Sequence, residues 1–210
     1  MKQGRFISLE GMDGAGKSTH LAWLADYLRA RAVDFVVTRE PGGTPLAETL
    51  RELLLQQDMT AETETLLMFA ARREHVAKVI EPALQRGQWV ISDRFADASF
   101  AYQGGGRGIP MSLLQELEAF TVKTCQPDLT LLFDVPWEVS RQRLHAGRQQ
   151  NGTVQLDRFE LEAQSFFERV RAAYHARAQA SQGRMQVIDA ARGVDEIQQD
   201  LRALMDGFCA

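Results

Sequence analysis

The sequence contains few cysteines and no long hydrophobic run. Its two thiols, Cys125 and Cys209, lie far apart and match no spacing typical of a metal site or a redox pair. No apolar run approaches the ~18 residues of a membrane-spanning helix. The N-terminal residues lack the apolar segment and cleavage site of a signal peptide. We therefore expect a cytoplasmic protein without disulfide bonds or membrane segments.

The sequence also lacks an excess of positive charge. A net charge of −4 provides no general attraction to a nucleic-acid backbone or an anionic membrane, so we expect neither as a partner. Of the 24 basic residues, 20 are arginines and only 4 are lysines. Guanidinium groups suit bidentate phosphate binding, although genome composition explains this bias equally well. Any phosphate site must therefore be formed locally.

Alternating hydrophobic patterns predict an α/β fold. The length of 210 residues suits one domain over residues 1–210, without linker or repeat. Short apolar runs separated by helical patterns predict a parallel five-stranded sheet covered by helices on both faces. The predicted strands are residues 5–9, 34–38, 88–92, 129–133 and 185–188.

Two long helices and two loops stand out between the strands. Apolar spacing predicts a helix over residues 61–80, ended by Pro82, and a second helix over residues 158–180. The glycine-rich residues 104–108 and the polar residues 147–155 predict loops, which are either surface turns or segments that close over phosphates.

The string GMDGAGKS at residues 11–18 follows the first strand and opens a helix. This arrangement is typical of a P-loop, in which backbone N–H groups and a helix N-terminus hold the phosphates of a nucleoside triphosphate. We expect Lys17 to contact the β- and γ-phosphates, Ser18 to bind Mg²⁺ and Thr19 to contact the α-phosphate. The predicted ATP-binding residues are Gly11, Met12, Asp13, Gly14, Ala15, Gly16, Lys17, Ser18 and Thr19.

A carboxylate at the end of a second strand should complete the Mg²⁺ shell. Asp93 and Asp134 both end apolar runs, and spacing alone does not choose between them. A P-loop does not by itself separate a GTPase switch, a motor ATPase and a small-molecule kinase. The absence of an Asn-Lys-x-Asp guanine signature weighs against a GTPase.

Three further strings narrow these alternatives. They are TREPGGTPLAETLR at residues 38–51, SDRFADASFAYQGGGRG at 92–108 and QPDLTLLFDV at 126–135. Together with the P-loop, they resemble bacterial thymidylate kinases across nearly the whole chain. The resemblance implies a nucleoside monophosphate kinase-like fold with a lid near residues 143–158. It also implies ATP- and Mg²⁺-dependent phosphorylation of dTMP to dTDP by a homodimer.

The same resemblance assigns residues that hold the phosphate of the acceptor. It implies that Asp13 holds the 3′-hydroxyl region, and that Glu40 and Asp93 tune the arginines or the magnesium shell. Guanidinium groups bind two oxygens at fixed geometry, which suits a phosphate clamp. The implied clamp residues are Arg39, Arg51 and Arg94.

A further set of matching residues is implied to recognise thymine and deoxyribose. Phe69 would stack near the base and Arg72 would reach an exocyclic oxygen. The usual spacing of four from Phe69 points instead to Arg73, whereas aligning AARREH favours Arg72 and puts Met68 where an aromatic residue is usual. The remaining implied contacts are hydrogen bonds from Ser99 and Gln103 to the pyrimidine, and crowding of the 2′ position by Tyr102, for which ordinary packing is the alternative.

The family places an arginine that contacts the transferred phosphoryl group either in the P-loop or in the lid. Gly14 and Ala15 leave this P-loop without one, so the resemblance implies a lid arginine. We select Arg148, which follows Gly147 on the polar segment. The other candidates are Arg143 and Arg158. Another nucleotide kinase of this fold, or a binding module without turnover, remains the alternative function.

Overall fold

A computed structural model describes residues 4–151 and 157–209 of the chain. Five parallel strands form one sheet in the order β2-β3-β1-β4-β5, which confirms the predicted sheet. Each strand ends one residue later than predicted, so that Glu10, Asp93 and Asp134 are the last residues of their strands. The strands are β1 Phe6–Glu10, β2 Phe35–Arg39, β3 Trp89–Asp93, β4 Leu129–Asp134 and β5 Met185–Asp189.

Helices connect the strands and cover both faces of the sheet. Phe6 and Val90, paired in register, pack with Val76 and Ile80. The next pair, Ile7 and Ile91, belongs to the core of the opposite face. Alternate side chains therefore bury against different helices, as in a doubly covered parallel sheet. The helices are α1 Lys17–Ala30, α2 Pro45–Gln56, α3 Ala61–His75, α4 Glu81–Gln85, α5 Ala96–Ser99, α6 Met111–Val122, α7 Trp137–Asn151, α8 Gln164–Ala180 and α9 Val194–Cys209, with π-helical segments at Val76–Ile80 and Phe100–Gly106.

The helix predicted over residues 61–80 does not end before Pro82; its first part is α3. It continues through the π-helical segment Val76–Ile80 into α4, where Pro82 lies in the first turn. The N–H of Glu81 bonds to the carbonyl of Val76, five residues back. Proline interrupts a helix because it lacks an N–H and its ring crowds a carbonyl of the preceding turn. The wider π turn avoids this conflict.

The loop predicted over residues 104–108 is wrong for residues 104–106, because Phe100–Gly106 is π-helical and packs against α8; Arg107 and Gly108 lie beyond the end of that segment. A Cβ atom on Gly105 would lie 2.6 Å from the Cβ of Ala173, so these glycines permit close packing of two helices. Helix α8 begins at Gln164 rather than at residue 158. Of the second predicted loop, residues 147–151 are helical in α7, and residues 152–155 lie outside the described residues.

None of the helices in the described part of the chain is both long and apolar enough to cross a membrane.

Candidate active site

The P-loop connects the carboxyl end of β1 to the start of α1. Gly11 has a φ of +133°, and a Cβ atom there would lie 2.4 Å from the carbonyl oxygen of Phe133. Gly16 is left-handed and precedes the first turn of α1. Both positions therefore require glycine, since other residues rarely adopt these angles and Gly11 has no room for a side chain.

Lys17 lies over the P-loop at the start of α1. Its ammonium group donates to the carbonyls of Gly11 and Met12, both at 3.1 Å, and lies 3.6 Å from Asp13 Oδ1. Burial lowers the pKa of Lys17, and repulsion from Arg94 lowers it further. A bound anion would favour the charged ammonium, and the N–H groups at the start of α1 attract the same charge.

Arg94 follows β3 in a left-handed conformation with a φ of +69°. Its backbone N–H bonds to Leu9 at 2.8 Å, and its guanidinium donates to the carbonyl of Gly11 at 2.9 Å and to Asp13 at 2.6 Å. Burial would raise the pKa of Asp13, but the charges of Arg94 and Lys17 outweigh it and lower that pKa. These contacts fix Arg94 against the P-loop.

Arg72 lies at the centre of a buried polar network. Its guanidinium donates to Glu40 at 2.7 Å and to Ser99 at 3.0 Å. The other oxygen of Glu40 lies 2.9 Å from His75 Nδ1, and His75 Nε2 lies 2.6 Å from the hydroxyl of Thr38. Burial would raise the pKa of Glu40, but Arg72 and His75 lower it. This chain of contacts orients the guanidinium of Arg72.

The structure distinguishes between the residues considered for the base site on α3. Arg72 lines the cavity, whereas Arg73 points away and donates to the carbonyl of Thr121 at 2.7 Å. Phe69 does not line the cavity; its ring is 2% exposed and lies 4.7 Å beneath the Arg72 guanidinium. The expected stacking of Phe69 on a base therefore does not fit its position. Met68 lines the cavity instead.

Residues of the π-helical segment after α5 line the same cavity. The guanidinium carbon of Arg94 lies 5.0 Å from the centre of the Tyr102 ring. The Tyr102 hydroxyl has no hydrogen-bond partner in the described part of the chain. Burial raises the pKa of Tyr102 to about 12. Gln103 is buried and donates to Glu64 at 2.7 Å. Ser99 accepts a hydrogen bond from Arg72 at 3.0 Å, and Ser99 and Gln103 both line the cavity.

The three arginines expected at the acceptor phosphate do not all lie together. Arg51 and Arg94 line the cavity, and Arg51 is held by the carbonyl of Pro41 at 3.0 Å. Arg39 is 54% exposed, pairs with Glu48 at 2.8 Å and faces a second cavity of about 450 Å³. Arg39 therefore does not line the main cavity in this conformation, although burial lowers the pKa of Arg51 and the charge of Arg39 lies near enough to lower it further.

The carboxylates predicted near the P-loop differ in whether they have an oxygen free to bind Mg²⁺. Asp93 Oδ1 is buried without a hydrogen-bond partner among residues 4–151 and 157–209, and Asp93 lines both cavities together with the exposed Ser18. Both oxygens of Glu40 are already bound, which argues against Glu40 as a metal ligand. Asp134 binds Arg171 through both oxygens and does not line the cavities. Asp93 and Ser18 are therefore the residues that fit Mg²⁺.

One cavity of about 730 Å³ joins the P-loop to the Arg72 network, which is within the usual size of small-molecule sites. Gly11, Met12 and Ala15 lie beneath the P-loop surface and do not line it. The residues predicted for the site that line this cavity are Asp13, Gly14, Gly16, Lys17, Ser18, Thr19, Glu40, Arg51, Arg72, Asp93, Arg94, Ser99, Tyr102, Gln103 and Arg143.

Comparison with known proteins decides the family. The family model described as thymidylate kinase matches residues 9–201. The chain belongs to the thymidylate kinase family. It is 56% identical to the thymidylate kinase of Nitrosomonas eutropha over 99% of this chain and 95% of that protein. It is 58% identical to the thymidylate kinase of Cupriavidus metallidurans over 97% of this chain and 98% of that protein.

A solved structure supports the same assignment at the level of the fold. The crystal structure of thymidylate kinase from Ehrlichia chaffeensis matches with a TM-score of 0.77 and 32% sequence identity, covering 97% of this chain and 99% of that one. The predicted P-loop kinase fold of the thymidylate kinase family is thereby confirmed.

The thymidylate kinase lid expected near residues 143–158 lies only partly within the described residues, which omit 152–156. Arg143 lines the cavity and donates to the carbonyl of Ala190 at 2.8 Å. Arg148 forms an ion pair with Glu160, and Arg158 donates to Glu64 at 2.6 Å. Neither Arg148 nor Arg158 lines the cavity in this conformation.

Sequence reasoning missed several residues of this thymidylate kinase site. Met68 and Phe159 line the cavity, and Glu64, which does not line it, accepts a hydrogen bond from Gln103. A usable signal existed on α3, because Glu64, Met68 and Arg72 are spaced four residues apart and share one helix face. Phe159 had no such signal, since it approaches Tyr102 only through tertiary packing.

Proposed function

We propose that this chain transfers the γ-phosphoryl group of ATP to dTMP and forms dTDP and ADP. The observation that carries the proposal is the single cavity that connects the P-loop with Arg72 and Gln103. Arg94 contacts both ends, because it bonds to Asp13 of the P-loop and packs on Tyr102, the neighbour of Gln103. A donor and an acceptor bound at the two ends would meet at the P-loop, and membership of the thymidylate kinase family supports both substrates.

The donor end holds the triphosphate. We propose that the P-loop N–H groups and Lys17 bind its phosphate oxygens, with Thr19 near the α-phosphate. Ser18 and Asp93 would hold Mg²⁺, which neutralises negative charge on the phosphate oxygens when it is bound. The described residues contain no cluster of three or more His, Cys, Asp or Glu side chains suited to a metal. Phosphate oxygens and water would therefore complete the shell.

The acceptor end holds the monophosphate and the nucleoside. Arg51, Arg94 and Asp13 all line the cavity. Arg51 and Arg94 would provide guanidinium groups to the acceptor phosphate, and Asp13 would contact the region of the 3′-hydroxyl. Because Lys17 and Arg94 keep Asp13 ionised, it serves as a hydrogen-bond acceptor rather than a donor. Tyr102 would close the space beside the sugar against a 2′-hydroxyl.

The base would lie between Met68 and the polar side chains of the π-helical segment. Arg72 carries only donors, so it would bind a carbonyl oxygen of the pyrimidine. Its contacts with Glu40 and Ser99 hold the guanidinium in one orientation for this bond. Gln103 and Ser99 provide the remaining polar contacts. Chemistry in such a site consists mainly of positioning and charge neutralisation.

For the phosphoryl-contacting arginine we propose Arg148, with Arg143 as the alternative because Arg143 already lines the cavity. Arg148 must first leave its ion pair with Glu160. If this assignment is correct, Arg148→Ala lowers kcat by about 10³-fold with ADP affinity unchanged, as for other phosphoryl-transfer arginines. Normal turnover of that variant together with loss in Arg143→Ala would transfer the role to Arg143.

The substrate assignment is tested by coupled ADP release with dTMP, dUMP, UMP, CMP and AMP at saturating Mg²⁺-ATP. We expect dTMP to have the highest kcat/KM. A preference for another acceptor would assign the chain to a different nucleotide kinase activity. Absence of ADP release with every acceptor would favour a binding module without turnover. Lys17→Ala should abolish turnover in either kinase.

We also propose a cytoplasmic homodimer. Two large apolar side chains on neighbouring helices support an interface: Leu66 on α3 is 59% exposed and Phe120 on α6 is 73% exposed. Burying such side chains between subunits is favourable. Light scattering of the protein and of Phe120→Glu tests the proposal, since the variant should be monomeric.

A further inference from the structure

Glu64 is a buried carboxylate that does not line the cavity, yet it contacts a residue that does. The side chain of Glu64 is 0% exposed. One oxygen accepts from Gln103 Nε2 at 2.7 Å, and the other accepts from Arg158 at 2.6 Å and from Arg107 at 3.1 Å. Glu64 therefore joins α3, the π-helical segment and the C-terminal end of the lid region.

This arrangement determines which way the amide of Gln103 points. Glu64 offers only acceptors, because both its oxygens receive hydrogen bonds from guanidinium groups. The NH₂ group of Gln103 must therefore face Glu64, and its carbonyl oxygen must face the other way. That oxygen receives no hydrogen bond from the described residues, and Gln103 lines the cavity. The amide thus presents an acceptor to a bound base.

Arg72 presents the complementary group to the same cavity. A guanidinium has donors only, so Arg72 matches a carbonyl oxygen, while the Gln103 oxygen matches a ring N–H. Adjacent N–H and C=O groups occur on an imide pyrimidine such as thymine. A 4-aminopyrimidine has the reverse pattern, with a ring nitrogen that accepts and an amino group that donates.

We propose that Glu64 is a specificity-determining positioning residue, which locks the Gln103 amide so that the site selects an imide pyrimidine over a 4-aminopyrimidine. The proposal rests on the proposed dTMP kinase activity and extends it to a residue that does not touch the substrate. Arg107 and Arg158 contribute because they hold the acceptor oxygens of Glu64 in place.

The substitution Glu64→Gln tests this directly, because an amide has one acceptor and one donor side. Arg158 and Arg107 will draw the new carbonyl oxygen toward themselves, which leaves the new NH₂ group facing Gln103. Gln103 then turns its own oxygen toward that NH₂ and presents its NH₂ group to the cavity. A donor now meets the ring N–H of dTMP, and an acceptor nitrogen becomes the better match.

The experiment compares kcat/KM for dTMP and for 5-methyl-2′-deoxycytidine monophosphate, which keeps the methyl group and exchanges the imide for an amino edge. We expect the ratio of dTMP to the analogue to fall at least about tenfold in Glu64→Gln. Glu62→Gln is the matched control, since Glu62 lies exposed on the same helix and should leave the ratio unchanged. An unchanged ratio in a folded Glu64→Gln protein would overturn the proposal.

Two further variants separate positioning from general destabilisation. In a Gln103→Leu background, Glu64→Gln should no longer change the ratio, because its effect acts through the Gln103 amide; a persisting tenfold change would refute this route. Glu64→Asp keeps a group with acceptors only, so its ratio should stay within about threefold of wild type even if its melting temperature falls. A larger change there would also count against the proposal. Wild-type turnover of dTMP tests the proposed function separately.

Discussion

Removing the imidazole of His75 tests whether the buried network around Arg72 stabilises both the fold and the site. His75 is fully buried and bridges Thr38 and Glu40 with contacts of 2.6 and 2.9 Å. His75→Ala leaves the Thr38 hydroxyl and one Glu40 oxygen without this partner. Glu40 keeps its bond to Arg72 but loses the contact that fixes the other end of its carboxylate.

The size of the effect follows from these two contacts. A lost hydrogen bond to a charged group costs about 1.5–3 kcal/mol, a neutral one costs about 1 kcal/mol, and the vacated volume adds to both. We expect His75→Ala to lower the free energy of unfolding by about 3–5 kcal/mol. At ~2–4 °C per kcal/mol for a chain of this size, the melting temperature should fall by about 10 °C.

Calorimetry and steady-state kinetics measure the two consequences. His175→Ala is the control, because His175 pairs with Asp134 but is 40% exposed, so its loss should change stability by less than about 1 kcal/mol. Since the substitution loosens Arg72, we expect KM for dTMP to rise more than kcat falls. A melting temperature within about 2 °C of wild type, or an unchanged KM, would refute the reasoning.

Three further perturbations address other parts of the structure. Burial raises the pKa of Glu10 from 4.5 to about 8, so the folded protein keeps a proton that the unfolded chain releases, and stability falls as pH rises through that window. The melting temperature of Glu10→Gln minus that of wild type should therefore rise by at least about 4 °C between about pH 5 and about pH 8.5. A difference that stays constant over this pH range would contradict the reasoning. Gly11→Ala places a Cβ 2.4 Å from a carbonyl of β4 and should lower the melting temperature by more than about 4 °C, whereas Gly207→Ala, with open space around it, should not lower it. Arg72→Ala should reduce kcat/KM for dTMP by about 100-fold or more and Arg73→Ala by less than about threefold, and equal losses would show that the cavity assignment is wrong.

The strands and the P-loop were predictable because their signals are local. A buried parallel strand is apolar along its length, and the glycine spacing of a P-loop follows from backbone angles within a few residues. The helix boundaries were less predictable. Pro82 normally marks a helix end, and only the π turn before it, which fits the packing of Val76 and Ile80 against the sheet, allows α4 to follow.

The glycines at 104–106 show a second limit of local patterns. Glycine indicates a loop when its neighbours are unknown, but Gly105 lies against Ala173, almost seventy residues away. Only contact with α8 explains why a helical segment contains adjacent glycines. The same dependence on distant residues separates Arg51, which lines the cavity, from Arg39, whose side chain pairs with Glu48.

The sequence by itself determined the sheet, the phosphate loop and the family resemblance, because each depends on neighbouring residues or on strings in a fixed order. The tertiary structure decided which side chains share the cavity. Arg72 rather than Arg73, and Met68 rather than Phe69, line it, and Glu64 contacts Gln103 without lining it. These choices depend on how helices pack across the sheet, and a pattern along one helix does not contain that information.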